Sequence, residues 1–249
     1  MANNDKKVIL YELNEIPPRV LEFYITKRPN SALAKLCKDG IYLETYTVDD
    51  GELHPWSTWP TFHRGVPNST HNIRYINQDL TTAKQYPPIW EIICRNSFTV
   101  GIFGSLQSYP PIKDENVAFY LPDTFSPNPN AFPLGLSRFQ KFNLSLTSKN
   151  KAISKSITIK DFVSFVRLFF NGTITIRASI SIFIQIVKEF FQPKIKTRRS
   201  LIQPLLGFSL YFKYLNNTKP DFTTFFTNHL AGMMHRYWRD LFPEDFNLT

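Results

Sequence analysis

Cysteine is nearly absent from this chain: two residues in 249, Cys37 and Cys94, lie far apart and in no metal-type spacing. That count argues against a zinc ribbon and gives no basis for a disulfide framework, so both read as buried thiols. Glycine is also sparse, with nine residues, whereas 23 Phe and 11 Tyr make the chain rich in aromatics. Such a composition argues against low complexity and disorder, and 43% hydrophobic content suffices for a sizeable core in one large or two modest domains. No apolar run reaches the roughly 20 residues that a membrane helix needs. The start, Met1 to Lys7, passes straight into an apolar strand without the hydrophobic region of a secretory signal. A cytoplasmic location is the expectation.

Acidic residues are scarce in one region. From Lys149 to Lys213 there are twelve Lys or Arg against two acids, Asp161 and Glu189, which accounts for the whole formal charge of +9 and leaves the remainder near neutral. Phe162, Phe165, Val166 and Phe169 recur at helical spacing, as do Ile180, Phe183, Ile184 and Val187, so the region reads as amphipathic helices with basic faces. Those faces are either simply solvated or a binding surface for anionic membrane lipids or another polyanion. No helix-turn-helix signature or RNA-recognition box supports a specific nucleic-acid partner.

Around this region the pattern is α/β. Val8 to Tyr11 suits a buried parallel strand, Pro17-Pro18 opens a helix through Tyr24, and Ile41 to Tyr46 alternates like a second strand. Pro88 to Ile93 reads as a helix, Phe98 to Phe103 as a strand, and the proline- and asparagine-rich stretch from Tyr109 to Pro133 as loop. A last strand is expected at Phe222 to Thr227. This alternation implies a mostly parallel sheet with right-handed crossovers, sandwiched by helices.

The most informative run is Ser57-Thr58-Trp59-Pro60, followed by Gly65-Val66-Pro67 and His71-Asn72-Ile73. Ser57-Thr58 with Pro60 just behind them reads as the cap and first turn of a helix, where a hydroxyl and an incoming phosphate would meet unpaired backbone N–H groups. The alternative is a cap without chemistry. The spacing resembles the nucleophile segment of the alkaline phosphatase superfamily, in its type I phosphodiesterase and nucleotide pyrophosphatase branch. There a Thr or Ser sits beside two divalent metals and a G-x-P-x-x-H-G run follows. This chain has one residue more, with Asn72 where glycine is usual.

The resemblance implies an alkaline-phosphatase-like fold: residues 1–135 forming the first part of the core, 136–218 a basic helical cap insertion, and 219–249 the return to the core. It implies metal-assisted hydrolysis or transfer of a phosphate ester, with Thr58 as nucleophile, His63, Arg64 and His71 lining the substrate site, and zinc or manganese as metal. In the family the first strand ends in a metal-binding aspartate, which places Asn14 at that position. Glu12 shares a strand face with Asn14 and either supplies the missing carboxylate or, with Glu15, caps the following helix or pairs with Arg19. A D-x-x-x-H metal pair falls on Ala231 and His235, with His229 as an extra candidate; the two imidazoles can share a metal only if the residues between them turn. No Asp-His dipeptide occurs, so the family's D-H-G ligands are missing, the two-metal site is incomplete, and the chain reads as an N-terminal portion or a degenerate relative. The competing class is a non-catalytic relative that binds anionic lipid headgroups or phosphorylated glycans through its basic helices.

Overall fold

The computed structural model describes residues 6–76, 78–147, 176–192, 195, 198 and 201–246. The Phe162 to Phe169 repeat lies outside them. Four strands form one all-parallel sheet: β1 (Val8–Leu13), β2 (Val100–Phe103), β3 (Val117–Leu121) and β4 (Phe222–Thr227), in the order β1-β4-β2-β3. The last strand therefore inserts between the first two. Helices α1 (Pro18–Lys27), α2 (Ala32–Asp39), α3 (Pro55–Arg64), α4 (Asn68–His71) and α5 (Ile89–Arg95) precede β2. Between β3 and β4 come α6 (Leu134–Thr147), α7 (Ile176–Phe191) and α8 (Ile202–Thr218), and α9 (His229–Leu241) follows β4.

The two faces of the sheet carry different cores, as the period-two alternation of a strand requires. Phe103, Phe119, Leu121 and Phe225 pack with Leu136, Phe139, Ile182, Leu206, Leu210 and Tyr211 from α6, α7 and α8. On the other face Val100, Ile102, Tyr120 and Phe222 pack with Trp90 and Cys94 of α5. Gly101 is required between its strand partners, because a Cβ there would stand 2.4 Å from the Phe119 ring that lies across it. At the amino ends, Asp221 accepts from Lys7 Nζ at 2.6 Å and from the Thr99 amide and hydroxyl, tying β1, β2 and β4 together. Those donors hold its carboxyl down at about 2, the Lys7 bond being the largest cause.

Several sequence expectations need correction. The Val8 to Tyr11 strand forms but is not buried, since it lies at the sheet edge with Val8, Ile9 and Tyr11 about half exposed. Ile41 to Tyr46 forms no strand; Ile41, Leu43 and Tyr46 are exposed, for alternation alone does not make a strand without a neighbouring ladder. The Tyr109 to Pro133 stretch contains β3, whose apolar run Val117 to Leu121 was hidden among prolines. Cys37 is only half-buried, unlike Cys94. Among the described residues no helix is long and apolar enough to cross a membrane.

Candidate functional site at the carboxyl rim

Helix α3 starts at Pro55, with His54 as its N-cap, earlier than the Ser57-Thr58 cap predicted. Thr58 consequently sits in the second turn, its N–H bonded to the His54 carbonyl at 2.9 Å and its Oγ1 donating to the same oxygen at 3.1 Å. Pro60 is inside the helix, and Gly65 ends it in the left-handed conformation at φ 66°. The helix lies over the carboxyl end of β1, held by two side-chain bonds. Trp59 Nε1 donates to Asn14 Oδ1 at 2.8 Å, and His63 Nε2 donates to Glu12 Oε1 at 2.7 Å.

Glu12 is buried, contrary to a capping or Arg19-pairing role. Its second oxygen accepts from Ser105 Oγ at 2.8 Å, and Ser105 Oγ is 2.6 Å from Thr224 Oγ1. Arg19 instead bonds Asp245 and Glu244. His63 is likewise enclosed, between the Trp59, Phe62 and Trp90 rings, with Nδ1 unpartnered. A carboxylate placed between a serine and a histidine cannot relay the serine's proton to the imidazole, so this buried trio orders the rim rather than activating a nucleophile.

Asn14 ties three neighbours together through its amide. Its oxygen takes the Trp59 indole, and its nitrogen donates to Asn228 Oδ1 at 2.6 Å and Glu15 Oε1 at 3.3 Å. A flipped amide would set N–H against the indole N–H, so the indole fixes the orientation. Glu15, at φ 55°, accepts from His235 Nε2 at 2.8 Å on the exposed edge of this cluster. His229 opens α9 and bonds Thr227 Oγ1 through Nδ1 at 2.8 Å, and burial depresses its pKa to about 4. Because α9 is helical from His229 through His235, the intervening residues form no turn and the two imidazoles do not share a face.

The remaining predicted residues stabilise loops. Arg64 donates through Nη1 to the carbonyls of Ala83, at 2.9 Å, and Tyr86, which ties it to the Thr82–Gln85 turn; burial lowers its pKa. His71 Nδ1 accepts from the Ile73 N–H at 3.0 Å, so its proton is on Nε2 and donates to Thr61 Oγ1 at 2.9 Å. Thr61 in turn donates to Asp49, at 2.7 Å. A ring protonated on that side is no base for the hydroxyl, and burial together with Arg64 pushes its pKa down to about 4.

Divalent metal was the expected cofactor, and these donors do not fit it as arranged. Among the described residues no group of three or more His, Cys, Asp or Glu is placed to hold an ion. Glu12 is spent on His63 and Ser105, Asn14 on Trp59, and His235 and His229 on separate partners. We derive no step through a metal.

Several rim residues escaped the sequence reading, and one signal would have found them. Ser105, Asp123 and Asn228 each lie within two residues of a strand's end, where ligands gather in parallel sheets. Asp123 is buried after β3 and accepts the Phe125 N–H at 2.7 Å; burial pushes its carboxyl up to about 6 against these donors. The chain is thus a parallel α/β protein with a polar rim. No protein-family model, curated protein or solved structure matches it.

Proposed function

We propose that this rim is the site of phosphate-ester chemistry, hydrolysis or transfer, on an alkaline-phosphatase-like scaffold. The observation that supports it is the bonding of α3, the helix that contains Thr58, to the carboxyl end of β1 through Trp59 and His63, on the side where parallel sheets gather ligands. In this reading the Thr58 oxygen forms a bond to phosphorus as the ester P–O bond breaks, the alcohol departs, and water or a second alcohol releases the phosphoryl group. The test is turnover of an aryl phosphate monoester and diester, with and without added zinc or manganese. Thr58→Ala should abolish turnover at an unchanged unfolding midpoint; turnover persisting in that variant overturns the reading.

A second reading is a non-catalytic relative, favoured by the bonding of both Glu12 oxygens, and of Asn14 and Arg64, to protein partners. It predicts no turnover under any metal condition, together with salt-sensitive binding of an anionic ligand by the basic helices.

A further inference from the structure

We propose that the outward face of α7 is a docking surface for an anionic lipid membrane. The helix has two apolar faces. Ala178 and Ile182 are buried in the core with Leu206 and Leu210, whereas Ile176, Ile180, Phe183, Val187 and Phe190 point to solvent at successive spacings of four, three, four and three residues. Ile184 and Phe191 widen this outer stripe. Phe183 is 68% exposed, Phe190 85% and Phe191 74%, values far from those of side chains that a fold uses for its own packing. From Ile176 to Phe190 the stripe runs about 21 Å, a continuous patch rather than scattered surface apolars.

Charge selects the occupant. Residues 176–218 contain seven Lys or Arg and a single acid, Glu189. Glu189 is buried and accepts from Gln185 Nε2 at 3.0 Å, so the described outer side of α7 presents Lys188 and Phe rings with no carboxylate to repel phosphate headgroups. At 16 residues α7 is too short to span a bilayer and suits an in-plane position, with aromatic side chains in the acyl boundary and Lys188 at headgroup level. The inference is independent of the rim chemistry proposed above.

The experiment is co-sedimentation of the full chain with phosphatidylcholine vesicles containing phosphatidylglycerol, beside pure phosphatidylcholine. We expect binding to the anionic vesicles that weakens as salt rises from about 0.1 to about 0.5 M, and that falls about tenfold or more in Phe183→Ser/Phe190→Ser/Phe191→Ser. Lys188→Glu leaves the stripe intact and should weaken anionic binding alone, which keeps the test decisive if the triple variant folds poorly. Failure of the unaltered chain to bind, equal binding by all variants, or a concentration-dependent dimer abolished by the triple variant without any vesicle binding would each overturn the proposal.

Discussion

Glu12 is the residue on which the rim is organised, since its two oxygens join α3, β1 and the loop after β2. Both it and His63 are buried, so Glu12→Ala leaves an imidazole and a hydroxyl without their acceptor and is expected to lower stability by about 3–5 kcal/mol, read from denaturant midpoints. His63→Ala should cost a similar amount, and the double variant clearly less than the two together. Titration offers a second measurement. His71, depressed to about 4, contributes stability that is present above its unfolded value near 6.5 and is lost as pH falls toward 4; His229 acts in the same direction. Asp123, raised to about 6, contributes stability that is present below about 4 and is lost as pH rises through 6. The two effects oppose each other across one window. Asp123→Asn should therefore steepen the loss of stability between about pH 6 and 4 relative to the unaltered chain, and an unchanged slope contradicts this assignment. Sequence placed Glu12 and Asn14 on one face of the strand correctly, because alternation is local. It offered no route to the Trp59 and His63 bonds, which join residues 45 and 51 positions apart.

Elements were legible where an apolar period ran uninterrupted. The last strand falls at Phe222–Thr227 as read, and the helix after Pro17 and the one after Pro88 form as their prolines and apolar spacing require. The start of α3 was misplaced because two prolines compete for the first turn, and Pro55 rather than Pro60 occupies it. Ile41 to Tyr46 has a strand's alternation without a partner, a condition no local pattern reveals. At the edge of the sheet β1 is the converse: among the described residues it pairs on one side only, with β4, and leaves Val8, Ile9 and Tyr11 about half exposed. An apolar edge of this kind templates further strands. We expect self-association that rises with concentration in sedimentation velocity and that Ile9→Lys suppresses without lowering the unfolding midpoint by more than about 1 kcal/mol.

Across the molecule, burial is uneven. The two cores lie on β2, β3, β4, α5, α6, α7 and α8, while α1 and α2 contribute no buried residue and Ile41 to Leu53 runs largely in solvent. Amide exchange should follow this division, with β2 and β4 protected at the global stability and residues 18–53 exchanging through openings of far lower free energy. Uniform protection over both regions would show that the N-terminal helices belong to the same cooperative unit. The parallel α/β class was readable from the order of apolar runs. The candidate site was readable only as a set of strand ends, because which polar groups meet there depends on β4 inserting between β1 and β2, a choice made by long-range packing.

The Asn14 amide has a consequence for how this rim could change. Asparagine and aspartate codons differ by one base, and an aspartate at 14 would set a second negative charge beside Glu15, which already holds the His235 imidazole. Two carboxylates would then repel each other where an amide N–H now donates to Glu15. A single transition in the gene thus separates a rim locked by neutral amides from one whose own charges push it apart.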